Sequence, residues 1–136
     1  MLSKFILASI ILSLGNNPRH NPVLNDKNRL IKISKVFANT IEENKELNKF
    51  IGPAKKYAAA TLFVATVLRE SGFRKSVQVC KVKGDQGRSI SLFQLMKPWA
   101  FKVKVYDKNG RPKWINKYTE KQICSSLKLQ SHRFFY

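Results

Sequence analysis

A chain of 136 residues, 43% of them apolar, is sized for a single domain with a modest core, which excludes a multidomain assembly. Against 8 Asp and Glu stand 26 Lys and Arg, a net charge of +18, so the expected partner is polyanionic: nucleic acid, an anionic membrane, or a bacterial wall with its anionic polymers. Cys80 and Cys124 have no His or Cys companions at ligand spacing, which excludes a zinc site, and no cofactor or metal is expected.

In chain order, Lys4 precedes an uncharged aliphatic run, Phe5 to Leu14 (FILASIILSL), ending in small and turn-forming residues. Residues 1–15 therefore read as a signal peptide cleaved near Gly15 or as an apolar N-terminal helix packed on the core. The run is shorter than the roughly 20 residues a membrane span needs. Residues 16–27, rich in Asn and Pro, read as a linker, and 28–136 as the folded domain. Export would let Cys80 and Cys124 form one disulfide stabilising the fold by roughly 2–4 kcal/mol; otherwise they are two buried thiols.

From Asn28 to Phe50 an apolar stripe (Leu30, Ile33, Phe37, Ile41, then Leu47, Phe50 and Ile51) predicts an amphipathic helix, capped by Asn25 or Asp26 and weakened near 42–46. Gly52-Pro53 breaks the chain and starts a second helix, Pro53 to Ser71, whose apolar residues lie on most faces. Such a helix is expected at the centre of the fold, closed by a left-handed cap at Gly72. Gly84-Asp85-Gln86-Gly87 predicts a turn, and Ser89 to Leu95 a short strand or helix start. Phe101, Val103 and Val105 alternate with Lys102 and Lys104 as a strand, Asp107 to Gly110 supplies a hairpin turn, and 113–118 returns. Thr119 caps a last helix with Ile123, Leu127 and Leu129 as apolar points, and the chain ends in exposed aromatics that resemble a truncated C-terminus.

Glu70 stands nearly alone among basic residues, at the end of that apolar helix. A carboxyl beside packed side chains and at the negative end of a helix dipole is expected to hold its proton, which a glycosidic general acid requires.

The fragments Glu70-Ser71-Gly72-Phe73 and Gly87-Arg88-Ser89-Ile90-Ser91-Leu92-Phe93-Gln94-Leu95 resemble the lysozyme-like superfamily of soluble lytic transglycosylases and phage-type lysozymes. There a helix ends in Glu-Ser-x-Phe, and a Gly-rich turn leads to Gly-x-Gly-Leu-x-Gln. The resemblance covers about residues 54–99, with one departure: Ser91 stands where the family has Gly. It implies an α+β, mostly α, lysozyme-like fold and cleavage of the β-1,4 bond between N-acetylmuramic acid and N-acetylglucosamine in peptidoglycan. Glu70 becomes the general acid and base, Ser71 its orienter or a sugar contact, Gln94 a cleft-floor contact to an N-acetyl group, and Ser91 a residue narrowing the cleft. Peptidoglycan strands and anionic wall polymers become the partners of an extracytoplasmic monomer with no specific nucleic-acid target.

Asp85 is the candidate second carboxylate, although a Gly-Asp-Gln-Gly turn uses Asp for its own backbone. Trp99, Tyr106, Trp114 and Tyr118 are expected mainly in the core or at its rim, with sugar stacking as the alternative. Competing with the enzyme are a basic nucleic-acid-binding protein, a membrane-active cationic protein and a catalytically inactive lysozyme-like relative. Against nucleic acid, the basic residues are dispersed along the chain and form no recognised motif.

Overall fold

A computed structural model describes residues 1–44 and 54–135. Helix α1 (Leu2–Leu14) repeats Leu2, Ile6, Ile10 and Leu14 every fourth residue, and this single stripe is buried against α3 (Lys27–Glu43) and α4 (Lys55–Ser71). The expected linker is instead compact. Asn17 caps a 3-10 turn at Pro18–His20 by accepting from the Arg19 N–H at 3.0 Å, and a one-turn helix α2 (Asn21–Leu24) buries Val23. Its Asn and Pro residues are cap and first-turn residues, where a missing N–H costs nothing.

Asp26 caps α3 by accepting from the Arg29 N–H at 3.3 Å, and Leu30, Ile33, Phe37 and Ile41 form its buried face. The expected contributions of Leu47, Phe50, Ile51 and the Gly52-Pro53 break lie outside the described residues. Helix α4 is one-sided, contrary to the expectation of a rod buried all round. Ala59, Ala60, Phe63, Val64 and Val67 face α1 and α3, while Leu62 is 55% exposed and Ala58 and Ala65 are open to solvent. Alanines supplied the apolar count without needing burial. The helix stops as expected at Gly72 (φ 55°), whose N–H reaches the Leu68 carbonyl at 3.0 Å.

Beyond α4 the chain forms α5 (Lys75–Gln78), a turn at Asp85–Gly87, and strands β1 (Ser89–Ile90) and β2 (Leu95–Met96), paired Ser89 to Met96 and Ile90 to Leu95. A short helix α6 (Lys97–Ala100) leads into β3 (Lys102–Tyr106), which pairs antiparallel with β4 (Pro112–Asn116) as the alternation predicts. Asp107 fixes the turn, its Oδ1 accepting from the Asn109 and Arg111 N–H groups, each at 2.8 Å. Thr119 and Gln122 form a reciprocal capping box on α7 (Glu120–Ser125).

The expected last helix is two, broken at Ser126, with α8 (Leu127–Phe135) lying across α3. Buried hydroxyls of Thr40 and Ser131 meet at 2.9 Å between them. The expected exposed aromatic tail is likewise corrected at Phe134, which stacks on Phe93 (4.7 Å) and meets Phe63 edge-on (5.3 Å). A smaller core of Cys80, Ile90, Ala100 and Ile123 contains a Cys80–Cys124 disulfide. The fold is thus α+β and mostly α, and among the described residues no helix is long and apolar enough to cross a membrane.

Candidate active site at the end of α4

Glu70 follows the fully buried Phe63 by about two turns and Val67 by three residues, so it continues the core-facing side of α4. It is nevertheless exposed: packing against that side ends before the last turn. The expectation of a buried carboxyl is therefore corrected. Most described acids are committed. Asp26 pairs with Arg29 at 3.2 Å, Glu43 with Lys128 at 3.4 Å, and Glu120 with Lys83 and Lys97. Asp85 accepts from Ser89 Oγ of β1, and Asp107 accepts bonds within its own turn. Among the described residues Glu70, like Glu42, has neither a hydrogen bond nor an ion pair, in a chain carrying +18.

Ser71, expected to orient Glu70 or touch sugar, is buried, and its Oγ donates to the Val67 carbonyl at 2.9 Å. Ser71 follows Val67 by four residues and so falls on the buried stripe of α4. Ser71 closes the helix end, its hydroxyl turned back to Val67 and away from Glu70.

Residues 84–96 fold as one tight unit. Gly84 and Ser89 exchange backbone bonds at 3.0 and 3.2 Å, and β1 and β2 are joined by the turn 91–94, in which Ser91 (φ 72°) and Gln94 (φ 48°) are left-handed. The left-handed backbone at position 91 strains any side chain. Ser91 is completely buried and its Oγ has no hydrogen-bond partner. It is therefore corrected from a cleft-narrowing contact to a strained interior residue.

Gln94 is half-buried, folded back so that Nε2 donates to the Ser91 carbonyl at 2.9 Å. Its Oε1 lies against Gly84, at 1.9 Å from where a Cβ would stand, so any larger residue at 84 must displace it. Asp85 is engaged by β1, its Oδ2 accepting from Ser89 Oγ at 2.6 Å. Phe93, between Leu92 and Gln94, packs on Phe63 of α4 at 5.4 Å and so seats this turn against the helix that carries Glu70.

Three supporting residues escaped the sequence reading. Gln130, fully buried on α8, accepts from the Leu92 N–H at 3.4 Å and donates to the Gln78 and Ile123 carbonyls at 2.9 and 3.0 Å. Its only signal was the spacing of seven from Ile123 and three from Leu127, which puts it on their buried stripe. Arg29 bonds Gln78 Oε1 at 2.7 Å and the Phe73 carbonyl, tying α3 to the segment after Glu70. Arg133 donates to the carbonyls of Ala100, Trp99 and Lys102. Burial lowers both guanidinium pKa values from their ordinary position. Neither arginine was distinguishable among 26 basic residues.

A surface hollow of about 680 Å³ lies between the β3–β4 hairpin and α8, and Glu70, Asp85 and Gln94 are not in its walls. Among the described residues no cluster of His, Cys, Asp and Glu is arranged to hold a metal ion. No family model, curated protein or solved structure matches the chain.

Proposed function

We propose that the protein cleaves the β-1,4 MurNAc–GlcNAc bond of peptidoglycan, with Glu70 as general acid and then base. The observation that carries this reading is the uncommitted carboxylate of Glu70 at the capped end of α4, on the helix against which the Ser91–Gln94 turn is seated. No structural task among the described residues accounts for it. The resemblance in Glu70-Ser71-Gly72-Phe73 and the 87–95 segment gives that carboxylate a chemistry.

With Asp85 engaged by Ser89, a route needing one carboxylate is favoured over one needing two. Glu70 would give its proton to the departing glycosidic oxygen. It would then take the proton of the muramic acid 6-hydroxyl as that oxygen attacks the anomeric carbon and closes the anhydro ring. A glycan lying over the helix end would exclude water and supply the desolvation that exposed Glu70 lacks in the free protein. Gln94, held by its bond to the Ser91 carbonyl, is the polar group of the turn seated on α4 that would meet an N-acetyl group. The Cys80–Cys124 disulfide supports an oxidising, extracytoplasmic setting.

The test is release of muropeptides from purified peptidoglycan, read by mass spectrometry. Glu70→Gln is expected to lower the rate by about 10²–10⁴-fold at unchanged melting temperature. Anhydro ends are expected among the wild-type products, and equal release by both proteins removes Glu70 from its role.

A further inference from the structure

The segment from α6 through β4 is chemically unlike the rest of the surface. Lys102, Lys104, Lys108, Arg111, Lys113 and Lys117 crowd onto one hairpin, and its single acid, Asp107, is occupied by the turn it builds. The strand register sets Lys104 opposite Trp114 and Tyr106 opposite Pro112, so these four share a face with Lys102. Trp99 joins that face, its ring 5.8 Å from Trp114. The three rings are left in solvent: Trp99 is 59% exposed, Tyr106 65% and Trp114 46%. Lys102 and Lys104 rest their ammonium groups over Trp99 and Tyr106 at 5.4 and 5.6 Å.

Exposed rings cost solvation, and clustered lysines cost self-repulsion, so the hairpin is not built for stability. The same face forms a wall of the 680 Å³ hollow, whose opposite wall on α8 adds Lys128 and His132. Arg133 also lines the hollow, its Nε and Nη2 donating to three carbonyls that brace this end of the hairpin.

We infer that this face binds single-stranded nucleic acid without sequence preference, the bases stacking on Trp99, Tyr106 and Trp114 and the phosphates drawing Lys102 and Lys104 off the rings. Flat rings interleaved with cations match a polymer that alternates planar bases with charged phosphates. A ring-free phosphate polymer leaves the aromatics unused, and a neutral glycan leaves the lysines unused. A lipid surface calls for exposed aliphatic side chains beside the rings, but Val105 and Ile115 sit on the hairpin's other face and only Val103 and Leu129 reach the hollow. The dispersal of basic residues along the sequence concealed this patch, because Trp114 and Trp99 come beside Lys104 and Lys102 only after folding. The inference is independent of the chemistry at Glu70.

The test is fluorescence anisotropy of a labelled oligo-dT with the full chain, across 50–300 mM NaCl. If about four lysines meet phosphates, the slope of log affinity against log salt is expected near −3. Tyr106→Ala combined with Trp114→Ala is expected to weaken binding about tenfold or more. Lys102→Gln with Lys104→Gln flattens the salt slope, and Glu70→Gln binds as the wild type does. Both rings are on the exposed face, so the variants are expected to melt near the wild type, and tryptophan quenching by oligo-dT gives a second readout on the unaltered chain. Polyphosphate binding as tightly as oligo-dT, with no loss on removing the rings, overturns the inference. So does quenching by chitin oligomers or anionic vesicles when oligo-dT gives none.

Discussion

At the scale of single residues, the segment from Ser89 to Gln94 shows how a site position answers to its backbone. Ser91 holds φ 72°, fully buried, with a hydroxyl that has no partner. Two costs fall on it: about 1–2 kcal/mol for an L-residue in the left-handed region and about 1–3 kcal/mol for an unpaired buried hydroxyl. Ser91→Gly removes both, and adds back about 0.5–1 kcal/mol of chain entropy. The substitution is expected to stabilise the protein by about 1 kcal/mol or more in urea unfolding, and a destabilised variant would show that the hydroxyl is satisfied. Glu70 teaches the complementary lesson. Its place on the helix and its isolation among basic residues were legible in the sequence, but its exposure was not, because that depends on where packing against α4 stops. The burial of Ser71 beside it has the same origin.

Elements were read best where one physical cause decides them. The stripe of Leu30, Ile33, Phe37 and Ile41, the capping box of Thr119 and Gln122, and the alternation that sets β3 against β4 are each written in local spacing. Those decided by distant partners were misread. Helix α8 owes its place to Thr40 and to the rings of Phe63 and Phe93, none of which is near it in sequence. Helix α1 is the test of this distinction, since its composition suits both a signal and a core helix. Ile10 is fully buried against α3 and α4, whereas Leu12 is 76% exposed. Ile10→Ala is expected to cost about 2–5 kcal/mol and Leu12→Ala less than about 0.5 kcal/mol. Denaturant unfolding of the purified chain measures both. Equal, negligible effects would mean that α1 is not part of the core and would return residues 1–15 to the signal reading.

For the whole molecule the governing quantity is the charge of +18. Attractive pairs exist locally: Lys83 and Lys97 hold the Glu120 carboxyl below its ordinary pKa, and Asp26 and Glu43 have basic partners. Such part-exposed pairs contribute little each, and salt weakens them. Self-repulsion among the remaining positive charges opposes compaction over the entire surface, and salt weakens that as well. The two effects have opposite signs, and the counts decide between them: few acids are available to form pairs, while the unpaired cations are many and crowd most closely on the β3–β4 hairpin. Raising NaCl from about 20 to 300 mM is therefore expected to raise the melting temperature by a few degrees, near what about 1 kcal/mol gives a domain of this size. Oligo-dT is expected to do the same at low salt by binding the folded state, and Tyr106→Ala with Trp114→Ala to lose that increment while keeping the response to NaCl. A melting temperature that falls as NaCl rises would mean that the local pairs outweigh the repulsion.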